Sequence, residues 1–346
     1  MACEVDTAFI QAPEHRPKPH ISEAGGIPTI DLSPLNNHPI STDLVAEVGA
    51  ACREWGFFQV VNHGVPAELR RAVEAAAREF FGQSVEEKGK VRRDEANPLG
   101  YYDTENTKNV RDWKEVFDFI VKDVVVIPAE VESDEVQEIR NRWPEYPPGM
   151  SDTCKAYARG VEKLAFKLLE LIALSLGLSG DRLNGFFSNQ TSFLRLNHYP
   201  PCPTPHLALG VGRHKDAGGL TVLAQDDVGG LDVKKKADGE WYRVKPIPDS
   251  YIINVGDLVQ VWSNERYESA EHRVSVNSKR ERFSIPFFFN PAHYTIVAPL
   301  EEMTSEENPP KYKPFNWGDF FKTRKNSNFK KLDVENLQIH HFKISD

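Results

Sequence analysis

Cysteine is scarce in this chain, and what there is stands apart. Cys3, Cys52, Cys154 and Cys202 are its four cysteines in 346 residues, and no two form a CxxC pair. That spacing argues against a zinc site and a disulfide framework, and fits a reducing compartment. Long apolar runs are also missing, with no stretch of about 18 apolar residues, so no membrane span is expected. The N-terminus lacks the basic-then-apolar pattern of a secretory signal. Positive charge is in deficit: 42 Lys and Arg face 51 Asp and Glu, for a net charge of −9. No basic domain exists, so nucleic acid is not an expected partner. The cluster Lys234-Lys235-Lys236 precedes the turn Ala237-Asp238-Gly239 and reads as a solvated hairpin. Internal repeats and low-complexity tracts are absent. The expectation is a soluble, cytoplasmic globular protein with a small-molecule partner, a monomer being the simplest assembly.

The length exceeds that of a typical single domain. Residues 1–26, polar and proline-bearing and closed by Gly25-Gly26, read as a flexible N-terminal arm. Residues 27–150 alternate strand and helix. Ile27–Leu32 is a short strand, Thr42 caps a helix that Gly56 closes, Phe57–Asn62 is a strand, and Pro66 starts a helix through Leu69, Val73, Ala76 and Phe80. Asn62-His63-Gly64 is a turn. Residues 151–300 form the core. A long helix, Ser151 to Leu176, is capped by Ser151-Asp152 and stopped by Gly177, and short strands follow: SFLRLNHY, LTVLAQD, GLDVKK, WYRVKP, YIINVGD, VQVWSN, EHRVSVN and RFSIPFFFN. Such regular short strands mark a sandwich or jelly roll. Residues 301–346 read as a helical cap and a final strand, QIHHFKI.

The stretch GRHKDAGGLTVL, residues 212–223, puts three ionisable groups at the mouth of an apolar strand. On an extended chain His214 and Asp216 project to one side and Lys215 to the other, where it reaches either solvent, the favoured reading, or the substrate mouth. His272 follows 56 residues after Asp216. Two histidines and one carboxylate make the facial triad of non-haem Fe(II) oxygenases, with open positions left on the metal. Ten residues on, Arg282 and Ser284 share a strand face. A forked guanidinium and a hydroxyl fit the distal carboxylate of 2-oxoglutarate. Asn197 and Tyr199 also share a face, so Tyr199 offers a second hydroxyl.

These residues sit in a longer series: IPTIDL, EWGFFQVVNHG, NHYPPCP, HKDAGGLTVLAQD, INVGD, WSNERYESAEHRV and RFSIPFFFNP. In this the chain resembles the plant 2-oxoglutarate- and Fe(II)-dependent dioxygenases that include anthocyanidin synthase and flavonol synthase. The resemblance spans nearly the whole chain. It implies a mainly β fold with α, a double-stranded β-helix (jelly-roll) core flanked by helices. It implies Fe(II) on His214, Asp216 and His272, which are then the catalytic and metal residues. It implies 2-oxoglutarate held by Arg282, Ser284 and Tyr199, with Asn197 ordering that end, O2 as oxidant and ascorbate in support. The activity implied is hydroxylation, desaturation or demethylation of a small, aromatic or polycyclic plant metabolite, with release of succinate and CO2. Two other readings stay open: an oxidase of the same fold that needs no 2-oxoglutarate, and a non-catalytic small-molecule binding protein. The intact triad argues against the second.

Strand phase sends Pro286, Phe288 and Asn290 inward with Arg282 and Ser284, so Phe288 and Asn290 become substrate contacts. Tyr101, Tyr102, Phe117 and Phe320, with Trp113 and Phe321, are candidate pocket walls, with plain core packing the alternative for each. Phe287 and Phe289 fall to the packing face. The chain departs from its relatives where His198 replaces a common Tyr and Lys215 a common Thr or Ser. Gly100-Tyr101-Tyr102 also replaces the usual Gly-Tyr-Gly. Asn290 stands where enzymes that grip phenolic rings often carry an acid, which weakens a standard flavonoid reaction.

Overall fold

Period-two burial in the second half of the chain organises everything else. Along Arg282–Phe289 the odd-numbered side chains Phe283, Ile285, Phe287 and Phe289 enter the main apolar core. The even-numbered Arg282, Ser284, Pro286 and Phe288 line a cavity. One strand thus separates packing from chemistry, as a pleat must. The structure, a computed structural model, describes residues 6–18, 21, 26–36, 40–94, 97–132, 135–326 and 336–344. Cys3 and Gly25 lie outside the described residues.

Two sheets face each other. The larger has eight strands in the order Thr29–Asp31, Phe57–Val61, Tyr251–Val255, Leu220–Gln225, Arg282–Phe289, Phe193–Tyr199, Glu115–Ile120 and Gly100–Tyr102. All neighbours are antiparallel except the first pair. Strands from before residue 150 therefore extend both edges of the core sheet. The smaller sheet runs Leu209–His214, His272–Ser275, Leu231–Lys234 and Trp241–Arg243. Apolar side chains from both, including Phe57, Tyr199, Val233, Ile252 and Val274, fill part of the space between them. This is the expected jelly roll.

The helix Met150–Ser175 packs behind the larger sheet, with Phe166 edge-on to Phe289 at 4.9 Å between centroids. Thr42–Glu54 and Ala67–Phe81 pack on that helix in turn. Each large side chain buried there contributes about 1.5–3 kcal/mol. Gly149, at φ 75, precedes the long helix and no side chain caps it, in place of the expected Ser151-Asp152 cap. Asn62 and Gly64 both adopt positive φ, and Asn62 donates to Asp31, so Asn62-His63-Gly64 is turn chemistry.

Two elements differ from expectation. VQVWSN is not a strand: Asp257–Trp262 is an α-helix. QIHHFKI is not one either: Ile339–Phe342 is a 3-10 turn, and only Lys343 bridges to Tyr312. Of the N-terminal arm, residues 6–18 are seated on the core. Gln11 N–H donates to the Leu207 carbonyl at 2.9 Å, and Phe9 packs on Trp113. Among the described residues no helix is long and apolar enough to cross a membrane.

Candidate active site

Antiparallel pairing of Leu209–His214 with His272–Ser275 sets His214 directly opposite His272. In each histidine Nδ1 faces a nearby carbonyl: His214 that of Gly212 at 2.8 Å, His272 that of Ala270 at 3.1 Å. An Nδ1–H donated there leaves Nε2 with its lone pair pointing inward. Asp216 Oδ1 lies 3.4 Å from His214 Nε2 and 3.6 Å from His272 Nε2. The three ligand atoms fall within 4.8 Å of one another. Asp216 Oδ2 is occupied otherwise, accepting from Thr221 Oγ1 and Asn254 Nδ2, each at 2.6 Å.

The two glycines after Asp216 have a steric reason. A Cβ on Gly218 would stand 2.0 Å from Asn290 Oδ1, and one on Gly219 would stand 3.1 Å from the Phe289 carbonyl. Gly256 is as confined, since its Cβ would stand 2.1 Å from the Gly218 carbonyl. The turn lies on the N-terminal end of the helix Asp257–Trp262. Asp257 and Leu258 N–H groups donate to the Asp216 and Gly218 carbonyls at 2.8 and 3.1 Å.

Electrostatics keeps these donors ready for a metal. Burial, then the neighbouring His214, push the His272 imidazole down to about 4, so it is neutral and able to ligate. Burial works to raise the Asp216 carboxyl, but the imidazoles of His272 and His214 and the Thr221 hydrogen bond outweigh it. The group is held well below the usual carboxylate range.

Arg282 pairs with Tyr199, and Ser284 with Asn197, across adjacent strands. Asn197 Nδ2 donates to Ser284 Oγ at 3.3 Å. The Arg282 guanidinium stands over the Tyr199 ring, 4.9 Å from its centroid. Its Nη2 donates to Gln225 Oε1 at 3.0 Å and its Nε to the Gly229 carbonyl. Nη1 and the Asn197 oxygen are buried with no partner among the described residues. All four side chains line one cavity of about 80 Å3 together with His214, Asp216 and His272. Two imidazoles and a carboxylate suit Fe(II), and an unsatisfied guanidinium N–H beside a hydroxyl suits a carboxylate. The residues present fit both groups.

A second cavity of about 760 Å3 opens outside the triad. Phe288 borders both cavities, Asn290 the outer one, and Phe321 joins the outer wall. Phe288 stacks on Phe193, with centroids 4.7 Å apart. Four expected walls stand elsewhere. Tyr101 is buried, with its hydroxyl donating to Glu115 at 2.7 Å. Phe117 is core, among Phe80, Phe119 and Trp143. Phe320 packs on Phe315 and Phe342. Tyr102 lies under the Arg93 guanidinium, 4.4 Å from its ring centroid, and borders neither cavity. Aromatic rings near a site in sequence fill the core as readily as the pocket. Trp113 likewise packs away, donating to the Pro200 carbonyl at 3.0 Å. Lys215 borders the outer cleft and is half-buried, not extended into solvent.

The sequence reading passed over a buried ionic cluster beside the site. Arg195 is held by both Glu105 and Asp118, Arg93 bonds the same two acids, and Lys114 lies 2.9 Å from Glu105. Period two would have revealed Arg195, since it shares its strand face with Asn197 and Tyr199.

A model of the 2OG-Fe(II) oxygenase superfamily matches residues 190–291. One for the N-terminal region of non-haem dioxygenase in morphine synthesis matches residues 27–146. Protein DMR6-LIKE OXYGENASE 2 of Arabidopsis thaliana is 36% identical, over 92% of this chain and 89% of its own. Oxoglutarate-dependent flavonoid 7-O-demethylase 1 of Ocimum basilicum is 35% identical, over 86% and 77%. The crystal structure of JOX2 in complex with 2OG, Fe and JA superposes with a TM-score of 0.78 at 35% identity, over 92% of this chain and 88% of that one. With relatives this similar along almost its full length, the chain belongs to the 2OG-Fe(II) oxygenase superfamily.

Proposed function

We propose that this dioxygenase oxidises a small organic metabolite with a ring-bearing, apolar body, by hydroxylation, desaturation or demethylation. The observation that carries the reading is one cavity shared by the His214, Asp216 and His272 donors and the unsatisfied Arg282 N–H. His214, Asp216 and His272 hold Fe(II). Arg282 and Ser284 receive the distal carboxylate of 2-oxoglutarate, with Tyr199 and Asn197 shaping that end. Fe(II) with 2-oxoglutarate and O2 supplies, when bound, the oxidising power, with succinate and CO2 as by-products.

The chain's part is to bind, orient and exclude. Thr221 and Asn254 fix the Asp216 carboxylate, so Oδ1 faces the two imidazoles. Gln225 and the Gly229 carbonyl hold the Arg282 fork in place before a ligand arrives. Phe288, stacked on Phe193 between inner and outer cavities, aligns the substrate and keeps its reacting carbon near the triad. The relatives include a flavonoid 7-O-demethylase, and JOX2 is seen in complex with JA, which supports a small-molecule substrate without choosing between such bodies.

The test is an anaerobic titration of the apoprotein with Fe(II), then 2-oxoglutarate, watching for the visible charge-transfer band of a keto acid chelated to iron. The band is expected in the wild type and lost in Asp216→Ala. Arg282→Lys should need more 2-oxoglutarate to reach the same band, because a point charge replaces a fork. Iron binding without a band would favour an oxidase that needs no 2-oxoglutarate.

A further inference from the structure

We propose that the outer cleft binds an organic monoanion with an apolar, ring-bearing body, and that the Lys215 ammonium is its charge partner. The inference deepens the reading above and rests on it for the claim that this anion is the substrate. The protein as a whole is acidic, at −9. Its cleft is the reverse. Among the described residues lining it, six are cationic (Lys108, Lys114, Arg195, Arg213, Lys215 and Arg324), against three acids besides Asp216. Five of the six lie within 4.0 Å of a carboxylate. Lys114 and Arg195 share Glu105 at 2.9 and 2.8 Å. Arg213 and Lys108 share Glu271 at 2.8 and 3.9 Å. Arg324 lies 3.4 Å from Asp257.

Lys215 is the exception: among the described residues no carboxylate lies within 4.0 Å of its ammonium. Asp257 feels its charge from further away, but that acid is buried and already engaged by Arg324. A half-buried cation among other cations, without its own counter-ion, favours an incoming anion. It lines the same cleft that His214 and Asp216 border. The opposite requirement, a surface for an apolar body, is met in the same cleft. Phe193 stacks on Phe288 and lies 6.1 Å from Phe321, which in turn lies 5.2 Å from Trp317. One surplus cation and one aromatic wall describe an acid with a single charge at one end.

Binding of 1-naphthaleneacetate and 3-phenylpropionate, each against its neutral methyl ester, tests this by isothermal titration calorimetry. The titrations use the full chain, metal-free and then loaded anaerobically with Fe(II) and 2-oxoglutarate. Each acid should bind about tenfold or more tighter than its ester, the worth of one charge-assisted contact. Added salt should erode that preference. Lys215→Met should bring acid down to ester, whereas Lys215→Arg, which keeps the cation, should retain the difference. Wild type that binds ester as well as acid, or neither, overturns the proposal, and so does Lys215→Met with its acid preference intact. The keto acid band, recorded without probe, separates the two failures. Band without acid preference sinks this inference alone. Acid preference without the band sinks the iron and 2-oxoglutarate assignment and leaves an anion site.

Discussion

At the scale of the residue, Asp216 has its two oxygens under separate control. Oδ1 faces the imidazoles, while Thr221 and Asn254 hold Oδ2 at 2.6 Å each. A carboxylate free to rotate would offer either oxygen and lose the pre-set geometry, so its supporting donors matter nearly as much as the ligand itself. Thr221→Val and Asn254→Ala are each expected to weaken Fe(II) binding by about 10–100-fold. Far-ultraviolet circular dichroism should show the fold retained. Anaerobic Fe(II) titration of the two variants checks this, and unchanged affinity would mean that packing alone orients Asp216. The three donors that the structure brings together were legible in the sequence, because His214 and Asp216 obey a strand's period and His272 stands in a distinctive stretch. Thr221 and Asn254 were not singled out. Their role depends on Leu220–Gln225 pairing with Tyr251–Val255, where Thr221 lies opposite Asn254. Period within one strand does not reveal register between two.

At the scale of the element, the site is a turn resting on a short helix. VQVWSN reads as a strand because Val259, Val261 and Trp262 are β-prone and all buried. Tertiary contacts decide otherwise. Asp257 and Leu258 give their free N–H groups to the carbonyls of Asp216 and Gly218, which a helix start can do and a strand in the sheet cannot. The same logic explains the failed final strand: Ile339–Phe342 lies against Phe315 and Phe320, where aromatic packing replaces a ladder. Pocket walls were the least legible part. Tyr101, Phe117 and Phe320 carry the right chemistry, but which side of a sheet or helix they occupy follows from the assembled layers. Gly256 gives the element-scale test. Its backbone conformation admits alanine, with φ −90, but the added methyl would meet the Gly218 carbonyl, and no side chain can swing away to make room. Gly256→Ala should cost about 1–3 kcal/mol of stability. It should also weaken Fe(II) binding, since the helix and the turn must part. Urea unfolding together with the iron titration checks both, and a variant that loses stability but keeps full iron affinity would uncouple the helix from the site.

At the scale of the molecule, the C-terminal segment closes back over the core beside the site, and Glu265 is one of its anchors. The carboxylate lies 2.7 Å from Lys343 Nζ and 3.4 Å from Lys311 Nζ, and accepts from the Tyr312 hydroxyl at 2.7 Å. Tyr312 also bridges to Lys343 through the backbone. Partial burial alone would raise the Glu265 carboxyl. The hydrogen bonds from Lys343 and Tyr312 and the two ammonium charges win, and hold it down at about 2 against an ordinary 4.5. The unfolded chain therefore takes up this proton at higher pH than the folded one does, and stability must fall as pH falls through that interval. The contribution of Glu265 is complete above pH 4.5 and is lost progressively towards pH 2. Glu265→Gln removes the charge at every pH. Wild type should melt above the variant at neutral pH, and the gap should narrow as acid is added below pH 4.5. Other acids titrate in the same range, but they do so in both proteins and cancel in the difference. Thermal unfolding of the pair across that range is the measurement. A gap that stays constant would mean that Glu265 anchors the segment by shape and hydrogen bonding, and that its charge contributes nothing to holding residues 336–344 on the core.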